Sequence, residues 1–581
     1  MKRFLHCRHI LFICFLFLAG LPRSSEAQIL ITASLDGATA GTASSGRGTM
    51  WGVLSPDLKT LTYLITYQNL QGNFTAAHFH SESGAVVESI SFGTSNTASG
   101  VWSNIPDSLL GQFFSGHGIY VNIHTSAFPA GEIQGRCSPH QGGFVIAMNG
   151  GSAGTNSTGL GTGWVVFDSD SQDSSFNKIT YDFTYAGLQG SFTGAHFHSS
   201  LTTNVVEGIA FTDSSASGSI TGMPDSIWAM FIRGNIYANI HTNVYPEGEI
   251  SGTLIPVGQL GFRAALDNSQ AGTASTATGT AWAALNLGTL DVHYSVTYAG
   301  LSSAFTAAHI HRASGIVHPI TFIGNTADED WTGLADQDLV DLVLGRLYVN
   351  IHSNTYPVGE ISGTLISHDG VLTTTMDGSQ AGTSSTATGT AWATFGDSLR
   401  YRATIAGLNG TYTAAHFHLS PEGSVLMPAS FTDSTASGYW NNPDSITTLF
   451  IENRIYLNVH SNFAPAGEIS GTMHLGYEQV ITSVKKNISA GVPALYSLDQ
   501  NYPNPFNPST TINFQLPKSA RITLKVYNLV GQEVASLVDG IKSAGSYAVK
   551  FNASHLASGM YFYRLNSSDG FTAVKKMLML K

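Results

Sequence analysis

Short stretches of alternating apolar and polar residues recur along the chain. L-T-Y-L-I-T-Y begins at Leu61, I-T-Y-D-F-T-Y at Ile179, V-H-Y-S-V-T-Y at Val292 and L-R-Y-R-A-T-I at Leu399. A period of two with Tyr and Val enriched predicts half-buried antiparallel strands. Ahead of each runs a Gly/Ser/Thr-rich stretch that ends in tryptophan: Trp51, Trp164, Trp282 and Trp392. This predicts two strands joined by a small-residue connection, with the tryptophan as a core anchor rather than a sugar-stacking platform. Further on, Pro-Asp-Ser at Pro106, Pro224 and Pro443, or Asp336-Gln337-Asp338, opens a short helix such as Ser226 to Phe231. An acidic or hydroxyl residue there suits the exposed amides of a first turn. Six to eight short strands with one helical connection predict an all-β Greek-key sandwich.

The pattern repeats four times, over 28–138, 139–257, 258–367 and 368–475. A period above 100 residues is domain-sized, so the units are expected to be beads with separate cores. Residues 476–496 read as a linker. Within 497–581, N-Y-P-N-P-F-N-P (Asn501 to Pro508) precedes alternating runs, which predicts a small separate β-sandwich. At the other end, residues 1–27 read as a signal peptide: a basic start, an apolar run from Ile10 to Ala19 and Ser25-Glu26-Ala27 for cleavage. Its removal takes Cys7 and Cys14 away, leaves Cys137 without an intramolecular partner, and leaves no transmembrane helix in the mature chain.

Candidate chemistry lies in two phrases found in every unit. The first is A-A-H-F-H at Ala76 to His80, G-A-H-F-H at Gly194 to His198, A-A-H-I-H at Ala307 to His311 and A-A-H-F-H at Ala414 to His418. The second is Y-x-N-[IV]-H, ending at His124, His241, His352 and His460. On a strand, His78 and His80 share one face while Phe79 takes the other. Likewise Val121 and Ile123 point inward, and Tyr120, Asn122 and His124 outward. Three imidazoles per unit should therefore meet outside the sheet: His78, His80 and His124; His196, His198 and His241; His309, His311 and His352; His416, His418 and His460. Such a set can hold copper, zinc or nickel. The glutamate of the following G-E-I (Glu132, Glu249, Glu360, Glu468) would be a fourth ligand or a partner fixing a tautomer. The competing reading is a polar network in which the histidines bond Asn122, Glu132 and loop backbone.

The formal charge of −12 argues against a nucleic-acid partner. Only Lys59 and Lys178 interrupt the lysine-free stretch from Gln28 to Gly476. No Ser or Cys nucleophile recurs beside the histidines, each unit has a single recurrent glutamate, and no phosphate-binding loop is present. Triad, paired-carboxylate and nucleotide chemistries are therefore unsupported.

The phrases above, with the P-x-G-E-I-x-G ending of Pro129 to Gly135 and Pro465 to Gly471, resemble the chordin (CHRD) domain. The resemblance implies an extracellular module with an immunoglobulin-like β-sandwich and no settled activity. The tail resembles the C-terminal sorting domain of bacterial type IX secretion, through Tyr502 to Pro508, Tyr527 to Gly531, Gly559 to Phe562 and the terminal lysines. That implies the type IX machinery as a partner and a secreted or surface-attached product. A more distant resemblance joins each unit to copper–zinc superoxide dismutase, in which His78, His80 and His124 would correspond to histidine ligands. No recurrent fourth histidine or disulfide accompanies them. The expected role is extracellular binding, of an unidentified ligand, or surface structure. The alternative is a copper- or zinc-binding protein with superoxide-dismutase-like redox activity.

Overall fold

In the computed structural model the described residues are 28–476, less 115–117, 172–173, 396–397 and 442–443, together with segments between 485 and 579. The expected signal peptide, most of the expected linker, Pro443 and several tail-motif residues, Tyr502 and Pro503 among them, lie outside these. No helix among the described residues is long and apolar enough to cross a membrane.

The first repeat shows the plan. Its strands are β1 (Ile29–Asp36), β2 (Arg47–Leu54), β3 (Thr60–Gln68), β4 (Phe74–His80), β5 (Val86–Ile90), β6 (Thr97–Ser103), β7 (Tyr120–Thr125) and β8 (Ile133–Arg136), with helix α1 (Asp107–Phe114) between β6 and β7. They hydrogen-bond in the order β5-β4-β7-β8-β1-β2-β3-β6, all antiparallel, as one sheet rolled over a core. Alternation decides what fills it. Phe79, Val121, Ile123 and Ile65 are fully buried, and α1 adds Leu110 and Phe113. The same helix recurs at Asp225–Ile232, Asp336–Val343 and Asp444–Ile451, each opening on aspartate.

The first and fourth repeats keep cores of their own, as expected, but the cores of the second and third run together and every repeat packs on its neighbours. Every residue of β2 from Gly48 to Leu54 is buried, because its second face packs on a neighbouring repeat. Trp51 and Trp164 are therefore not anchors inside their own cores. They meet, with Leu30, Leu64 and Val145, in an apolar cluster between repeats one and two. Trp282 and Trp392 do the same with Val371 between repeats three and four. Indole N–H groups cross these seams: Trp51 donates to the Ile146 carbonyl at 2.9 Å, Trp282 to Thr374 at 3.2 Å and Trp392 to Ala264 at 3.1 Å. Paired hydroxyls line the same faces, as in Thr66 with Thr162 at 2.6 Å and Thr280 with Thr404 at 2.7 Å.

Helices make the other seams. Repeats two and three share one continuous hydrophobic cluster that includes Phe231, Ile232, Val340 and Val343. Arg233 pairs with Asp336 across it, and Arg346 with Asp225 at 2.7 Å. Strand Ile255–Leu266 also passes from the sheet of the second repeat into that of the third, through the expected division at 257/258. The first and fourth repeats touch through α1 and Asp444–Ile451. Ile451 joins the first repeat's core, and a Cβ at Gly111 would lie 2.1 Å from Thr448 Oγ1. Each repeat thus packs against two others through these seams, His140 and Gln141 of the second also bond Asp369 of the fourth, and the four close on themselves.

The tail is a separate unit. Two four-stranded sheets enclose Phe514, Leu524, Val549 and Tyr563, the small β-sandwich its alternating runs predict. Cys137 is a free, fully buried thiol, and burial pushes its pKa far up, away from reactivity.

Candidate metal centre

The outer face of β4 and β7 carries the histidines, as strand parity requires. Across this pair His80 stands opposite Tyr120, His78 opposite Asn122 and His124 opposite Ala76. The register slips by one residue between Phe74 and Ala76, and the small residue there leaves room for the His124 ring to lean over the sheet. Gly194, Ala307 and Ala414 hold the equivalent places, opposite His241, His352 and His460.

All twelve histidines named from the sequence come together in their four expected groups. In each group the three rings pack with centroids between 5.1 and 5.8 Å apart. One ring nitrogen from each member lies within 4.8 Å of the others. In the first repeat these nitrogens are His78 Nδ1, His80 Nε2 and His124 Nε2, all buried without a hydrogen-bond partner. His196 Nδ1, His198 Nε2 and His241 Nε2 repeat the arrangement. In the third and fourth repeats His309 Nδ1 stands 3.3 Å from His352 Nε2, and His416 Nδ1 3.3 Å from His460 Nε2. A tetrahedral ion at ~2.0–2.1 Å from its ligands sets them ~3.3–3.4 Å apart, the spacing His309–His352 and His416–His460 already have.

The opposite nitrogens explain the orientation. His80 Nδ1 donates to the Gly84 carbonyl at 2.9 Å, and His124 Nδ1 to the Pro129 carbonyl at 3.0 Å. A carbonyl only accepts, so the proton sits on Nδ1 and the Nε2 lone pair faces the centre. His198 uses Thr203, His241 Pro246, His352 Pro357, His418 Gly423 and His460 Pro465 in the same way. His311 has no such bond among the described residues. Its hairpin is tighter, with Arg312 paired directly to Gly315.

Burial, then the neighbouring His124 and His80, lowers the pKa of His78. The same causes, with their own neighbours, lower His196 and His416. Crowding thus favours neutral imidazole, the form that ligates. One tyrosine walls each group: Tyr120 stacks on His80, Tyr237 on His198, Tyr348 on His311 and Tyr456 on His418, at centroid distances of 5.0–5.4 Å.

The glutamates have a different job from the expected one. Glu132 is fully buried and none of its hydrogen bonds reaches an imidazole. It accepts from Ser44 Oγ at 2.6 Å, Thr125 Oγ1 at 2.7 Å and the amides of Gln71 and Gly72 at 2.5 and 3.1 Å. Burial works to raise its pKa, but these four donors outweigh that and hold the carboxyl below its usual range. Glu249, Glu360 and Glu468 are held likewise by Ser157, Ser275 and Ser385. The carboxylate clamps the β3–β4 turn and the residue after His124. Glu132 lies just before β8, and its carboxylate reaches Ser44, Thr125 and the turn amides instead of an imidazole. Its partners were nonetheless visible: a serine in each small-residue run, and Thr125, Thr242, Ser353 or Ser461 directly after the last histidine. Gly131, before Glu132, has φ +126°, and a Cβ there would strike Asn122 Oδ1 at 2.1 Å. That contact accounts for the glycine of G-E-I, together with the Asn122 amide bonded to Ala130 at 3.1 Å.

Comparison with known families places a CHRD domain at residues 31–137, 144–254, 262–365 and 372–473, and a secretion system C-terminal sorting domain at 500–580. No curated protein matches. Among solved structures, Salmonella alpha-2-macroglobulin reacted with methylamine is similar at 8% identity and TM-score 0.14, over 90% of this chain and 38% of that one. A tetra-tandem repeat from the extending region of a large adhesion protein gives 10% identity and TM-score 0.13, over 90% and 96%. Trypsin-activated alpha-2-macroglobulin from Escherichia coli gives 6% and 0.12, over 90% and 48%. This chain spans well under half the length of the Salmonella macroglobulin.

Proposed function

Because this chain belongs to the CHRD-domain family and carries four such domains before a type IX sorting domain, we propose that it is an extracellular transition-metal-binding protein. The sorting domain directs it through type IX secretion to the cell surface or the extracellular space. Each repeat supplies one three-histidine site, formed in the first by His78, His80 and His124. The observation that carries this reading is the state of the ring nitrogens. In the first two repeats three buried ring nitrogens face one another without partners, while carbonyls hold the protons of two of the three rings on the far side. A polar network would not leave them so, since an unpaired buried acceptor costs ~1–3 kcal/mol. A bound ion removes that cost, and copper and zinc both suit imidazole donors. The interlocked repeats then act as a rigid frame that fixes the four sites on one body.

Equilibrium dialysis of the full chain followed by elemental analysis tests the reading. It expects one ion per cluster, four in all, and three after His78→Ala. A chain that takes up no copper or zinc, or whose uptake is untouched by His78→Ala, would refute it.

A further inference from the structure

The composition and packing of each cluster bear on which ion it takes. No Asp, Glu or Cys joins any of the four groups among the described residues. The nearest recurrent carboxylate, Glu132, is fully engaged with Ser44, Thr125 and the Gln71 and Gly72 amides. The donor set is therefore three imidazole nitrogens with no carboxylate or thiolate.

Room is equally restricted. His78 Nδ1, His80 Nε2 and His124 Nε2 are closed off from water by the rings that bear them, packed edge to face. His196 Nδ1, His198 Nε2, His241 Nε2, His311 Nε2 and His418 Nε2 are closed in the same way. In the first two repeats, where all three facing nitrogens are shielded, a fourth ligand the size of water does not reach them while the rings keep these positions. Tyr120, stacked 5.1 Å from His80 and 10° from parallel, resists the ring movement that would admit one.

These two facts discriminate between ions. Zn(II) takes four ligands in a tetrahedron, and Cu(II) takes at least four in a tetragonal field. Both also bring two charges to a site with no anion, and the cost of burying charge rises with its square. Cu(I) carries one charge, has a filled d shell and is satisfied by three nitrogens in a plane. We infer that the clusters select monovalent copper. This rests on the metal reading above and narrows it to one ion and one oxidation state.

The test is an anaerobic titration of the full chain with Cu(I) against the chromogenic chelator bicinchoninate, alongside titrations with Zn(II) and Cu(II). The expected result is four Cu(I) per chain, bound about 100-fold more tightly than either divalent ion. X-ray absorption should show three nitrogen neighbours. Zn(II) or Cu(II) binding as tightly as Cu(I), or a fourth light neighbour on Cu(I), would overturn the inference while leaving the metal reading standing. Failure to bind all three ions would overturn both.

Discussion

Tyr120 lies face to face with His80, ring centroids 5.1 Å apart and planes 10° from parallel, because the two residues are directly opposed on β4 and β7. The stack and the Gly84 carbonyl hold His80 in one orientation from two sides. Tyr120→Leu removes one of these supports without touching a ligand nitrogen. Affinity at that site should fall ~10–100-fold, as for other changes behind a metal ligand. A chelator competition should then resolve one weak and three unchanged sites.

Glu132→Gln should act on stability instead. The substitution puts an NH₂ against donors from Ser44, Thr125, Gln71 or Gly72. A cost of ~2–4 kcal/mol is expected from losing charge-assisted bonds in a buried place. Thermal denaturation of the metal-free chain reads it directly. His78→Ala, outside the core, should move the same transition far less.

The third site should be the weakest of the four. Of the eight histidines placed like His80 and His124, His311 alone lacks a carbonyl on its Nδ1 among the described residues, so its tautomer and ring angle are less constrained. With metal supplied below saturation, His311→Ala should lower total uptake less than His198→Ala. Equal losses would show that the carbonyl bond contributes nothing to affinity.

Asp182 gives the pairing of repeats one and two a pH dependence. Burial, helped by Asp36, pushes its carboxyl up to about 7 against the opposing bonds from Ser34 and Thr49. The unfolded chain releases that proton near 3.8 and the folded chain near 7, so between these values the folded state holds more protons. Stability should therefore fall as pH rises from about 4 to about 7, by roughly 2–4 kcal/mol. Asp182→Asn should flatten melting temperature against pH over that window.

Residues 258–367 on their own should not form a stable monomer. Cutting them out uncovers Trp282 on one seam and the Val340 and Val343 helix on another. Size-exclusion chromatography should find association or an expanded chain. A monomer with dispersed amide resonances would show that the repeat stands alone after all.

The histidine arrangement was legible because its strands are asymmetric. Phe79 and Ile123 each sit between polar neighbours, so parity alone sends His78, His80 and His124 to one face. The tryptophans gave no such handle. Trp282 lies between Ala281 and Ala283, and all three are buried, one face by the core and the other by a neighbouring repeat. A burial tendency read from one residue does not say what covers it. The Ser44–Glu132 clamp joins residues 88 apart in the chain, beyond any local pattern. The recurrent serine and the hydroxyl residue after the last histidine stand in the sequence, but only the fold brings them to one carboxylate.

Closure between Gly111 and Thr448 has a kinetic consequence. The two helices that meet there have two whole repeats between them in the chain, so their encounter carries a large loop-closure entropy. Contacts of such separation form late and slowly. Until they do, the first and fourth repeats each present an uncovered apolar helix, and a second molecule in the same state presents the matching one. Folding after export is therefore a race between closing the ring within one chain and joining two chains end to end, and its outcome depends on how many copies emerge together.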